Sequence, residues 1–473
     1  MRAFAIAMDL TPLSCVVLTR KRAHETTVGN PFPSPARLSS PQASLQRWGN
    51  IARSLAFTSL LTIATVADGQ PNTAPSRVEI TPEHVLAIDG RKVFPIGFTV
   101  PPAPSAKTPW GKPALDEFRS AGALFIRTGP MWDYKRDRSL RWDAWMNRER
   151  EYMDAAARAG MYCMPFLIEL ASVEAGDAQT ERRLREVVAT FREHPGMGVW
   201  KGADEPHWGQ QAIGPLVRAR EIIKEEDPNH PVWIVQAPRG TVEELKPYSA
   251  TYDIGGVDVY PIGYPPGMHL AGPKENREIS MIGDYAQKMM RVHEGSKPFW
   301  FTLQIAWSGV EGKDKTLRFP TFPEERFMTY QAIINGARGL VYFGGAMRGT
   351  LSERDRPYGW NWTFWERTLR PVLEEIGDKS PLAEALCAAE SKLPVKAEGN
   401  DVELCVREVG REVFVLACCR NSRKTAQVAF SGLPADVREG EVLYESPRRV
   451  RAKEGAFTDW FAPFEVHVYR FTR

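Results

Sequence analysis

The sequence predicts an α/β chain: a (β/α)8 TIM barrel followed by a small antiparallel β-sandwich. Two observations lead there. Between residues 93 and 344, short apolar runs alternate with amphipathic helical patterns, whereas from about residue 392 the runs themselves alternate in polarity, with turns every ten or so residues. Strands that read as unbroken apolar runs are buried on both faces, as a parallel sheet covered by helices requires. Period-2 alternation with frequent turns is the mark of a sandwich.

The elements follow in order. Val85 to Gly97 reads as a hairpin turning at Asp89-Gly90 and entering a first strand. The eight strand candidates are 93–100, 122–129, 161–168, 197–203, 231–237, 252–260, 298–305 and 338–344. Between them lie stripes such as Leu184, Val187, Val188 and Phe191, spaced for one helix face. Eight units over roughly 270 residues fit a barrel. A doubly wound open sheet would need a Gly-x-Gly-x-x-Gly or a phosphate loop after its first strand, and neither is present. The sandwich strands are expected at 402–406, 412–416, 426–430, 441–444 and 465–471.

The domain boundaries predicted are 1–77 for an N-terminal extension, 78–390 for the barrel and 391–473 for the sandwich. Residues 55–67 form an apolar run behind Arg47 and Arg53, and Thr65-Val66-Ala67 precedes Asp68, which suits an export signal over about 47–67. The run is shorter than the ~20 residues a membrane span needs. The mature chain is therefore expected to be secreted or periplasmic, without stable membrane insertion. Because signals begin chains, translation is expected to start near residue 45; a disordered tail before a buried helix is the alternative.

Bulk composition excludes several classes. The 473 residues are 43% apolar and 25% charged, a globular balance. The 61 basic and 58 acidic residues are interspersed, so no basic stripe offers itself to nucleic acid. The cysteines (Cys15, Cys163, Cys387, Cys405, Cys418, Cys419) lack Cys-x-x-Cys spacing, so no zinc knuckle or redox motif is expected. A disulfide among the last four remains open. No cofactor is expected.

In a barrel, chemistry gathers where each strand ends. Those positions are Arg127, Glu169, Asp204, Glu205, Gln236, Asp258, Tyr260, Gln304 and Trp307, with Trp360 after the last strand. Arginine, carboxylates, amides and aromatics around one mouth suit sugar hydroxyls. Several histidines would have suggested a divalent metal, but only His207 is near. Glu205, between Trp200 and Trp208 and beside Asp204, is the best proton donor, because an apolar setting and a neighbouring acid raise a carboxyl pKa. Asp-Glu-Pro is also an ordinary helix opener, and a helix N-cap is the alternative role of Asp204. Trp360 is expected to floor a sugar subsite and Trp365 to pack.

Asp204-Glu205-Pro206 at the end of the fourth strand resembles the Asn-Glu-Pro of the clan A glycoside hydrolases, retaining (β/α)8 enzymes. The likeness covers residues 84 to about 390. Arg127 is similar to the clan's arginine and Tyr260 to its tyrosine. The resemblance implies Glu205 as general acid/base of an O-glycosidase acting on a poly- or oligosaccharide. The clan's nucleophile, a Glu ending strand seven, is replaced: Pro298-Phe299-Trp300-Phe301-Thr302-Leu303-Gln304 ends in an amide, which cannot form a glycosyl ester. Three readings follow. Another acid serves (Asp258, Glu169 or Glu311); the substrate's own acetamido group attacks; or the barrel binds carbohydrate without cleaving it. A second carboxyl ~5–10 Å from Glu205 would favour hydrolysis.

Overall fold

The computed structural model describes residues 71–129, 141–263, 276–306 and 318–473, all within one compact unit. The expected signal and translation start, Trp307 and Glu311 lie outside the described residues.

The chain enters through an antiparallel meander of β1 (Val78–Ile80), β2 (Leu86–Ile88) and β3 (Arg91–Val93). Asp89 and Gly90 both take positive φ, 50° and 77°, the type I′ geometry that an Asp-Gly pair supplies to a two-residue hairpin. Then β4 (Ile96–Phe98), β5 (Phe125–Ile126), β6 (Tyr162–Cys163), β7 (Trp200–Asp204), β8 (Val232–Val235), β9 (Gly255–Asp258), β10 (Phe299–Gln304) and β11 (Leu340–Phe343) alternate with helices. Six pair in parallel in the order β6-β5-β4-β11-β10-β9, and β7 pairs β8. Parallel bridges Cys163↔Met197 and Phe166↔Lys201 link β6 to β7, and Trp233↔Ile254 and Gln236↔Val257 link β8 to β9. This α/β arrangement is consistent with the expected barrel.

Each strand is shorter than its predicted run and lies inside it, except that β7 extends one residue past 203 to Asp204. The run 161–168 keeps only Tyr162–Cys163 as strand because Pro165 lacks the N–H a ladder needs. Outside the strands lie α1 (Ala114–Ser120), α2 (Trp142–Arg158), α3 (Ala178–Phe191), α4 (Ile213–Glu226), α5 (Met281–His293) and α6 (Phe322–Ile334). The buried face of α3 is Leu184, Val187, Val188 and Phe191, the stripe its sequence spacing lays out. No helix among the described residues is long and apolar enough to cross a membrane.

After residue 395 the chain is β. One sheet orders β12 (Lys396–Ala397), β15 (Ala426–Ser431) and β18 (Phe457–Phe461). The other orders β13 (Val402–Val409), β14 (Glu412–Cys419), β19 (Val466–Thr472), β16 (Glu439–Leu443) and β17 (Arg449–Arg451). The strands β12, β17 and β18 were not expected; they are short or carry polar residues that dilute the alternation. Phe430, Phe457, Tyr469 and Phe471 fill the space between the sheets. The other face of the larger sheet presents Phe414, Leu416, Cys418, Val466 and Val468 to the α/β core. Arg326 on α6 locks the junction, bonding Glu375 and the carbonyl of Val466. The described cysteines are all free thiols, so the disulfide left open by the sequence is not formed among them.

Candidate active site

The parallel strands bring Arg127, Lys201, Asp204, Glu205, Asp258 and Tyr260 together. Glu205 follows β7, and its N–H donates to the Val235 carbonyl at 2.7 Å, which anchors it beside β8. Its φ is 47°, and Ile168, after β6, sits at 45°. A β-branched residue there is a real outlier, and strain of this kind collects at functional sites. Asp258 ends β9, with its N–H on the Gln236 carbonyl. The Glu205 and Asp258 carboxyls lie within hydrogen-bonding reach of each other, and Asp258 also reaches the Tyr260 hydroxyl.

Their electrostatics diverge. Burial, then the Asp204 charge, push Glu205 above the ordinary carboxylate range. Burial, then Glu205 and Asp204, push Asp258 far above it. Two carboxyls in contact cannot both ionise cheaply, so the pair retains a proton. Asp204 goes the other way. Burial raises it, but the Lys201 ammonium at 3.0 Å and the nearby Arg127 guanidinium outweigh that and hold it ionised. Its side chain is nonetheless 41% exposed, so it remains open to solvent rather than sealed in a packed core.

Lys201 was not singled out by sequence, yet it sits at the centre. It is completely buried on β7, donates to the Ala203 carbonyl at 2.7 Å, and lies over the Phe166 and Trp233 rings. The available signal was a lysine inside a strand buried on both faces, where lysines almost never go unpaired. Arg127 donates to the Thr99 carbonyl and lies 4.9 Å from the Phe166 ring.

Other expected residues take different places. Gln304 is fully buried and grips the backbone of residue 262: its oxygen accepts from the Ile262 N–H at 3.0 Å and its amide donates to the Ile262 carbonyl at 2.6 Å. It therefore clamps a loop and is not free to meet a sugar hydroxyl. Gln236 is buried, accepts the His207 N–H, and has an Nε2 with no protein partner. Glu169 is exposed on a 3-10 turn (Ile168–Ala171). Trp360 does not floor a subsite. It is fully buried, donates to the Val100 carbonyl, and packs on Phe98, Phe118, Trp362 and Trp365, so no face of its ring is left for a sugar. Trp200 does not flank Glu205 either: its indole donates to Asp227. No group of three His, Cys, Asp or Glu suited to a metal occurs among the described residues.

The described fold has solved counterparts. A glycoside hydrolase superposes with TM-score 0.57 at 10% identity, covering 84% of this chain and 97% of that one. A glycoside hydrolase family 5 protein from Bacteroides vulgatus gives 0.56 at 10%, covering 84% and 93%. An α-amylase from Geobacillus thermoleovorans gives 0.51 at 9%, covering 80% and 98%. The fold is one that glycoside hydrolases use. At these identities the likeness concerns the fold alone. No protein-family model and no curated protein matches the sequence.

Proposed function

We propose that this chain is an exported glycoside hydrolase on a (β/α)8 barrel, acting on a poly- or oligosaccharide with Glu205 as proton donor. One observation carries the reading: adjacent carboxyls at the strand ends have environments that drive their pKa values apart, Asp204 down and Glu205 up. Such divergence is how two acids divide labour near neutral pH. The protonated Glu205 gives its proton to the glycosidic oxygen as the C–O bond breaks and its electrons pass to the leaving group. Ionised Asp204, with Lys201 behind it, faces the positive charge that develops on the ring. Asp258 orients Glu205 by a hydrogen bond that draws the Glu205 pKa down, against burial and the Asp204 charge that raise it. It does not oppose Glu205 across the cleft, because the two carboxyls touch, whereas hydrolytic pairs stand ~5–10 Å apart. Gln304 supplies no nucleophile, so the attacking oxygen comes from water or from the substrate's own acetamido group.

The fold's glycosidase counterparts support this reading, as does the strained backbone at Glu205 and Ile168. A second reading, carbohydrate binding without cleavage, is favoured by the amide at the end of β10. The test is a screen of the full secreted chain on soluble polysaccharides, with product stereochemistry followed by NMR. Glu205→Gln is expected to lower kcat roughly 10³-fold with little change in affinity. Unchanged turnover removes Glu205 as the acid; binding without any turnover establishes the second reading. Export is tested by sequencing the N-terminus of secreted protein, where an intact Met1 refutes the signal.

A further inference from the structure

Outside the carboxyl cluster, the described chain leaves few large apolar side chains exposed, and one stands beside Glu205. Trp208 is 57% exposed. A lone exposed indole on a loose tip needs no explanation. Trp208 is not on such a tip. The turn that holds it is closed by Gly209 N–H to the Glu205 carbonyl at 2.8 Å and Gln211 N–H to the Pro206 carbonyl at 2.9 Å. Its far end is held by the Tyr248 hydroxyl on the Gln211 carbonyl.

The loop after β8 braces it. Arg239 lies over the Trp208 ring, with its guanidinium carbon 4.6 Å from the centroid. That loop is itself pinned from α5, by the Tyr285 hydroxyl on the Pro238 carbonyl and by Lys288 on the Gly240 carbonyl. Gly240 takes φ 79°, and any side chain there would meet His207 Nε2 at 2.6 Å, so the two loops interlock only with glycine. Arg239 is also near enough for its charge to act on Glu205. The neighbouring Gln236 Nε2 and Asp258 Oδ1, both buried, have no protein partner.

We propose that Trp208 and Arg239 form the leaving-group subsite, a stacking platform for the sugar ring whose oxygen Glu205 protonates. The proposal rests on the hydrolase reading for the word leaving, but not for the binding. The proton donor stands on the side of the departing sugar, and Trp208 lies three residues beyond it on the same closed turn. The open indole face takes the apolar face of a pyranose ring, while the guanidinium over the other face braces the indole. Trp208 binds and positions sugar and Arg239 holds Trp208 in place; neither is a catalytic residue.

The probes are cellohexaose, xylohexaose, mannohexaose and chitohexaose, with the glycosyl fluoride of whichever sugar is cleaved. A fluoride carries no sugar in the leaving-group position. Trp208→Ala is expected to lower kcat/KM on the hexasaccharide roughly tenfold more than on the fluoride. Equal losses on both overturn the proposal. Tryptophan fluorescence of Glu205→Gln, titrated with the four hexasaccharides, separates the two claims. A change that vanishes in the Glu205→Gln, Trp208→Ala double variant supports the platform, even if the wild type cleaves nothing and the hydrolase reading falls. A change that survives in the double variant, or no change with any of the four, overturns it. Arg239→Gln adds a readout that mere structure would not move: the alkaline limb of the pH profile shifts upward, because the cation that holds Glu205 down is gone.

Discussion

Glu149 offers the sharpest stability test, because it is a buried acid outside the proposed chemistry. It lies on α2, 1% exposed, with the Thr128 hydroxyl on one carboxyl oxygen and no partner for the other. Burial pushes its pKa from 4.5 to about 8. Folding therefore favours its protonated form. That contribution is fully present below pH 4.5 and is lost as pH rises through about 8, the reverse of the usual salt-bridged carboxylate. At about 1.4 kcal/mol per pH unit, the loss reaches at most about 5 kcal/mol. Glu149→Gln keeps the shape and removes the titration. At about pH 5 the variant is expected within about 1 kcal/mol of wild type, the worth of one altered hydrogen bond. By about pH 9 it should be several kcal/mol more stable. Urea unfolding at one-unit pH steps measures the difference. A difference that stays constant with pH means Glu149 is ionised in the fold, and the argument from burial fails.

Two further outcomes bear on the site. Gln304→Glu places a carboxylate where retaining barrel enzymes hold their nucleophile, yet it removes the donor to the Ile262 carbonyl. The expected result is a loss of about 1–3 kcal/mol of stability with no gain in turnover; a faster enzyme, or a trapped glycosyl ester, would show that Gln304 is free to react. Asp204→Asn deletes the like charge that raises Glu205, so the alkaline limb of activity should move to lower pH, and an unmoved limb would separate the two residues.

The parallel α/β arrangement was legible because burial on both faces erases strand alternation and leaves apolar runs, while helices keep one stripe, as Leu184, Val187, Val188 and Phe191 do. The Asp89-Gly90 turn was legible because two successive positive φ angles admit few residue types. The strand-end rule also brought Arg127, Asp204, Glu205, Asp258 and Tyr260 to one mouth, since it depends only on where each apolar run stops. Strand lengths were less legible, because Pro165 and the irregular ends interrupt ladders without interrupting hydrophobicity.

What only the tertiary structure decided is partnership. Sequence places Gln304 at a strand end and Trp360 after the last strand but does not say which way they face; one clamps Ile262 and the other packs in an aromatic cluster. Lys201 looked like one strand residue among others until Phe166 and Trp233 closed around it beside Asp204. Glu205 and Asp258 are 53 residues apart in the chain, yet their carboxyls touch. Residue type and period are local properties that a sequence carries in full. A pKa, a stacking face and a shared proton depend on distances between segments, and those exist only once the chain has folded.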